Sequence, residues 1–186
     1  MPVAATLDPL FDSLYDADEE VRAAAAAALR SFPPSQAQSA LRGRLRDALD
    51  SQQSTDPKRL VATVDALGEL RDTMAVQPII DLLDASDPLL VDSAGRALQA
   101  ITKQDFGRSR YRWSGWWRRH QYEPRLQWLL SGLCHDSAMI RSSAQDELSE
   151  MSGDVVGYRF DLPNREREST AKQWAKWWQR HGYDVV

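Results

Sequence analysis

Residues 87–101 read DPLLVDSAGRALQAI, and the placement of their small and apolar side chains decides what kind of chain this is. Leu90, Ala94, Ala97, Leu98 and Ile101 stand at offsets of zero, four, seven, eight and eleven, positions that share one face of an α-helix. Asp87 lies three residues ahead of the first, where a carboxylate can accept a backbone N–H of the opening turn. Pro88 follows at once, at a position whose missing N–H costs a helix nothing. The stretch predicts an amphipathic helix that carries its own start signal.

The same pattern occurs three more times: Val21-Ala25-Ala28-Leu29-Phe32, Arg59-Thr63-Ala66-Leu67-Leu70 and Ile140-Ala144-Glu147-Leu148-Met151. Asp18, Asp56 and Ser137 take the capping place of Asp87. Ahead of three copies stands a proline-led segment, at Pro9, Pro78 and Pro124, with Phe11 and Leu14, Ile80 and Leu83, and Leu126 and Leu129 two and five residues on. Each reads as a first helix feeding the second through a short turn. The remaining first helix lacks the proline but has a stripe of Leu41, Leu45 and Leu49, followed by a polar linker over residues 51–57. A helix pair of this size cannot hide its stripe alone, so neighbouring pairs are expected to stack.

The Val21-Arg22-Ala25-Ala28-Leu29 core, with Asp18 ahead of it and a proline-led first helix, resembles a HEAT repeat, and weaker versions recur along almost the whole chain. The second copy departs by carrying Arg59-Leu60, and the fourth by placing Glu147 at a usually small position. The resemblance implies an all-α fold, a short right-handed α-solenoid of about ten helices. It implies one domain over residues 1–186, with repeats near 6–32, 36–72, 74–122 and 123–186. HEAT-like repeats mostly build binding scaffolds, so the implied function is a non-enzymatic one: a protein partner held on the solenoid surface, with no cofactor.

Composition is consistent with a packed core: 42% of the 186 residues are apolar and 27% charged. One cysteine, Cys134, excludes an intramolecular disulfide. The N-terminal stretch has no charged leader followed by a long apolar run, and no stretch approaches a membrane span, so a soluble cytoplasmic chain is expected. The net charge of −4 is unevenly spread: residues 1–100 carry 9 basic and 16 acidic side chains, residues 101–186 carry 14 and 11.

All seven tryptophans fall in the second part, six of them in two matching stretches, WSGWWRRHQYE at 113–123 and WAKWWQRHGYD at 174–184. Trp113, Trp116 and Trp117 correspond to Trp174, Trp177 and Trp178, and Gly107 to Gly157. Each set falls on one helical face with a histidine, His120 or His181, one turn further on, while Lys172, Lys176 and Arg180 occupy the opposite face of the second copy. Burying one indole removes about 200 Å² from water, so these residues are expected to act as structural lids on appended helices, with stacking on a ligand as the alternative. The histidines are expected to satisfy terminal carbonyls. No metal is expected, because Cys134, His135 and Asp136 are adjacent and converge poorly on one ion, and there is no His-Glu dipeptide of the iron-binding HEAT-repeat hydroxylases.

Two surfaces are candidates for binding. The outward positions of the second helices, offsets two, five, six and nine from each anchor, include Ala23, Ala27, Arg30, Val61, Val64, Asp65, Arg96 and Gln99. The first two rows, through Ala23 and Ala27 and through Val61 and Val64, are small and apolar where a solvated face would carry Lys or Glu, which suits a protein segment. Arg108, Arg110, Arg112, Arg118 and Arg119 form the densest basic run and could hold an anion. That run supports the alternative function, nucleic-acid binding in the manner of HEAT-like DNA glycosylases. A third class, a lyase or chaperone for a cofactor-carrying protein, would need a pocket.

Overall fold

The computed structural model describes residues 4–14, 16–30, 32–50, 56–152 and 158–181; within them the side chains of residues 4–6, 8, 19, 23, 26, 30, 34, 48, 50 and 152 lie outside the description. The linker over residues 51–55, Gly157 and Tyr183 also fall outside the described residues. Among the described residues the fold is all-α, with ten α-helices and no strand. They are α1 (Ala4–Ser13), α2 (Glu19–Arg30), α3 (Pro34–Asp50), α4 (Pro57–Glu69), α5 (Val76–Asp81), α6 (Pro88–Thr102), α7 (Arg110–His120), α8 (Arg125–Gly132), α9 (Ala138–Ser152) and α10 (Asn164–His181). Two compact units divide the chain, Met1–Ile101 with Phe106–Arg118, and Thr102–Asp105 with Arg119–Val186.

In the first unit α1 pairs with α2 and α3 with α4, and α1 also packs on α3. The helix starts follow from the capping carboxylates. Asp18 Oδ1 accepts the Glu20 N–H at 2.9 Å, Asp56 Oδ1 that of Lys58 at 3.0 Å, and Asp87 Oδ1 that of Leu89 at 2.9 Å. The stripe positions then go inward: Ala25 and Leu29, Thr63, Ala66 and Leu67, and Leu90, Ala94, Ala97, Leu98 and Ile101 are all buried. Two expected anchors do not. Val21 is exposed, and so is Arg59, a long cationic residue in the first turn of its helix. In α2 and α4 burial therefore begins one turn later, at Ala25 and Thr63.

Helix α3 corrects a second expectation. Ala37, Leu41 and Leu45 are buried but Leu49 is exposed. A strict four-residue spacing advances about 40° per step on a helix of 3.6 residues per turn, so by Leu49 the stripe has rotated off the face it began on.

The α3–α4 hairpin is closed by a charged device that the sequence pattern did not reveal. After α4 the chain ends its helix with Arg71 in the left-handed region (φ 54°), its N–H donating to Gly68 O and that of Asp72 to Leu67 O. This pair of bonds satisfies the last carbonyls of α4. Asp72 is thereby buried, and Arg42 of α3 grips both of its carboxylate oxygens at 2.7 and 2.8 Å, while Oδ1 also accepts the Met74 N–H. Gln38 Nε2 adds a bond to Leu70 O at 3.0 Å.

In the second unit α8 packs on α9 and α10 packs on α8. Their core is Leu129, Leu130, Leu133, Ala144, Leu148, Tyr158 and Trp174, edged by Leu126, Ala171, Ala175 and Trp177. The Tyr158 hydroxyl donates to Leu133 O. Buried Arg141 is satisfied by three carbonyls, donating to Phe160 O, His135 O and Asp136 O at 2.6 to 2.8 Å. Met151, the last position of this stripe, is exposed.

Glu147, the residue that departs from the small-residue pattern, explains itself here. Its side chain is 2% exposed and lies between two cations: Lys103 Nζ stands 3.3 Å from Oε2, and Arg125 bonds both carboxylate oxygens. Lys103 Nζ also donates to Ser143 Oγ at 2.9 Å. Lys103 is itself in the left-handed region (φ 55°), and a Cβ on Gly132 would come within 2.8 Å of its Cβ, so the site needs glycine there. Removing one member of a buried ionic group strands the others in a poor solvent. Glu147→Ala is accordingly expected to lower the unfolding free energy by about 3–5 kcal/mol, read by urea denaturation, whereas Asp146→Ala at the adjacent exposed position should change it by less than about 0.5 kcal/mol.

Candidate functional site

The face formed by α4 and α6 in the first unit is built around an unusually close approach. Gly68 is buried against α6, and a Cβ placed on it would lie 2.8 Å from Ala97 Cα and 3.0 Å from Ala97 Cβ. Absence of a side chain at Gly68 and only a methyl at Ala97 let the two helices meet backbone to side chain. Beside this contact a depression of about 350 Å³ is lined by Asp65, Gly68, Glu69, Arg96, Ala97 and Ala100.

Hydrogen bonds fix its polar edge. Asp65 Oδ1 accepts from Ser93 Oγ at 2.7 Å and from Arg96 Nη2 at 3.2 Å, and Ser93 Oγ lies 3.2 Å from Val61 O. Ser93 is buried, so the carboxylate of Asp65 is held from beneath while its other side meets solvent. The floor is small and apolar, and the rim carries two carboxylates, Asp65 and the exposed Glu69, with the exposed guanidinium of Arg96.

The residues expected to face outward divide into three groups. Asp65 and Arg96 are brought together at the depression, and Ala27 and Gln99 are exposed and half-buried on their helices. Val64, by contrast, is fully buried and Val61 half-buried. On this side α6 meets α4 at Val61, where Ser93 Oγ donates to the carbonyl, and at Gly68, so the row an isolated hairpin would present to solvent is partly an interior contact. The side chains of Ala23 and Arg30 lie outside the described residues. Sequence reading missed Ser93, Glu69 and Ala100; the signal available for the first was a small polar residue four places before Ala97.

The basic run does not present five uncommitted charges. Arg108 pairs with Asp92, Arg110 bridges Asp81 at 2.8 Å and Asp84 at 3.2 Å, and the Arg112 guanidinium lies over the Phe106 ring at 5.1 Å. The carboxylates beside Arg110 hold its guanidinium pKa above the ordinary arginine value, chiefly through the Asp81 hydrogen bond. Arg118 and Arg119 are exposed.

The two tryptophan helices present their indoles unequally. Trp113 is buried, its Nε1 donating to Gly107 O at 2.9 Å and its ring meeting Phe106 edge-on at 4.9 Å. Gly107 adopts φ 54°, which a residue with a side chain resists, and so turns its carbonyl back toward the indole. Trp116 is buried beside Trp113, and Trp117 is half-buried. In α10 Trp174 is buried in the second unit's core, while Trp177 and Trp178 are half-buried. His181 stacks on Trp177 at 5.1 Å with Nδ1 3.0 Å from Trp177 O, the terminal-carbonyl contact expected of it. His120 instead pairs with Glu123 at 2.8 Å, and it is the His120 carbonyl that accepts from Trp128 Nε1.

Among the described residues no group of three or more His, Cys, Asp or Glu is placed to hold a metal ion. Likewise no helix among them is long and apolar enough to cross a membrane. Burial pushes the Cys134 thiol pKa up, with Glu168 adding to the effect, which suppresses the thiolate that nucleophilic chemistry needs.

Residues 60–85 match the family model of the PBS lyase HEAT-like repeat. The matched stretch begins in α4, passes through Gly68 and the Asp72 turn, and ends just after α5. No curated protein matches the chain.

Two measurements check this geometry. Gly68→Ala should lower stability by about 1–3 kcal/mol because the added methyl meets α6 backbone, whereas Gly43→Ala, where a Cβ meets nothing within 4 Å, should raise it by up to about 1 kcal/mol; paired thermal melts separate the two signs. With its pKa raised, Cys134 should be alkylated by iodoacetamide more slowly than a free cysteine at neutral pH. Its rate should keep climbing at alkaline pH after that of the free thiol has levelled off.

Proposed function

We propose that this HEAT-repeat protein works as a non-enzymatic interaction scaffold that holds a protein segment on the α4–α6 face of its first unit. The observation that carries the reading is the depression over Gly68, Ala97 and Ala100, whose small floor leaves room for side chains supplied by another chain. Its rim offers Arg96 and Asp65 for polar registration, already oriented by Ser93, so few side chains need ordering on binding. Partner affinity would rest on apolar side chains filling the floor, with the Asp65–Arg96 pair fixing orientation.

Nucleic acid is the weaker reading. A phosphate-tracking surface needs uncompensated cations, and Arg108 and Arg110 are bound to Asp92, Asp81 and Asp84. A raised Cys134 pKa likewise favours binding over thiol chemistry. The proposed site of action is the cytoplasm.

The test places a charge in the floor. A photo-crosslinking residue at Gln99 in the full chain, expressed in its native cell, should yield a discrete protein adduct. Ala100→Glu should abolish that adduct while leaving the thermal melt unchanged. Recovery of nucleic acid alone, or an adduct of equal yield with Ala100→Glu, would refute the assignment.

A further inference from the structure

The two tryptophan helices turn matching faces inward and different faces outward. In the register that aligns Trp113 with Trp174, the outer positions Tyr111, Arg112, Gly115 and Arg118 of α7 correspond to Lys172, Gln173, Lys176 and Gln179 of α10. The α10 set is an ordinary solvated face, long, polar and exposed. The α7 set is not: Tyr111 is 85% exposed, and the middle position holds no side chain at all.

Gly115 is the informative residue. It sits in the middle of an eleven-residue helix, where glycine weakens the helix relative to alanine. A Cβ there would meet nothing within 4 Å, and the backbone is not in the left-handed region. Packing thus requires glycine at Gly68 and Gly132, and the left-handed turn favours it at Gly107, but nothing among the described residues requires it at Gly115. What a bare position does permit is the close approach of a backbone from outside. Around it stand a tyrosine and two exposed arginines, Arg112 steadied over the Phe106 ring, which are the side chains most enriched where protein interfaces concentrate their binding energy.

We propose that this outer face of α7 docks an acidic α-helix of a protein partner, crossing at Gly115 with Tyr111 packed on its side and Arg112 and Arg118 paired to its carboxylates. The occupant is acidic because the exposed charges on the face are cationic. It is a helix because a single bare position between long side chains admits one narrow rod. This surface is distinct from the α4–α6 depression and does not depend on it.

The test uses the full chain and a displayed library of helices whose outer positions are randomised. Enriched helices should carry Asp or Glu on one face and a small residue near the centre. Their affinity should fall roughly tenfold or more with Gly115→Gln or Arg118→Glu, and stay unchanged with Lys176→Ala. Gly115→Gln should melt no lower than the native chain, since it fills open space on a helix with a better helix former, so a lost interaction cannot be ascribed to unfolding. Three results overturn the proposal: no enriched helix, enriched helices without acidic residues, or helices that bind Gly115→Gln as tightly as the native chain. Salt-sensitive binding of random single-stranded DNA that is lost in Arg118→Glu assigns the face to nucleic acid and overturns it as well.

Discussion

An α-helical hairpin with an apolar stripe on its second helix can shield that stripe only if another helix comes close enough to exclude water. In this chain the requirement is met at the position eight residues after each anchor, where Leu29, Leu67, Leu98 and Leu148 are all buried. Around each leucine the sequence supplies small residues: Ala25 and Ala28, Thr63 and Ala66, Ala94 and Ala97, Ala144. Short side chains at these flanking places set how near the next helix can come. At Gly68 the approach reaches its limit, with α6 so close that a methyl group would have no room. The depression beside that contact is a by-product of the same constraint, since small residues that let helices touch also leave an empty floor at the edge.

Charge plays a second role inside each unit, at the turn after α4 in one and within the α9 stripe in the other. Asp72 and Glu147 are both buried, and both are held by arginine or lysine side chains from a neighbouring segment. Such groups add little net stability over a well-packed apolar alternative, but a misregistered neighbour would leave a charge unpaired in a poor solvent. They fix which segments may meet: α3 with the turn after α4 in one case, residue 103 with α8 and α9 in the other. Left-handed backbone at Arg71 and Lys103 accompanies each of them. The function proposed for α4–α6 benefits from this rigidity, because a face whose edges are pinned has less to order when a partner arrives.

Most of the fold could be read from the sequence, because its signals are local. A carboxylate three residues before a periodic stripe states where a helix begins, and Asp18, Asp56 and Asp87 cap where that rule puts them. Misses came where a local rule met a three-dimensional fact. Leu49 follows the spacing of Leu41 and Leu45 yet lies outside, because the four-residue spacing drifts around the helix. Val64 belongs by position to an outward row yet is buried, one turn before Gly68 meets α6. Glu147 looked like an irregularity until Lys103 and Arg125, far from it in sequence, were seen to share its carboxylate.

The sequence by itself determined the all-α class, the starts of α2, α4 and α6, the paired organisation and the indole-bearing face of each tryptophan helix, since spacing along one chain is enough to define a cap or a face. Tertiary structure alone decided which outward rows remain outward, which arginines keep free charge and where a depression opens. Those properties depend on pairs such as Gly68 with Ala97, Arg110 with Asp81 and Asp65 with Arg96, whose members lie about thirty residues apart. No periodicity within one helix carries the distance between two, so the candidate site became visible only when the helices were packed.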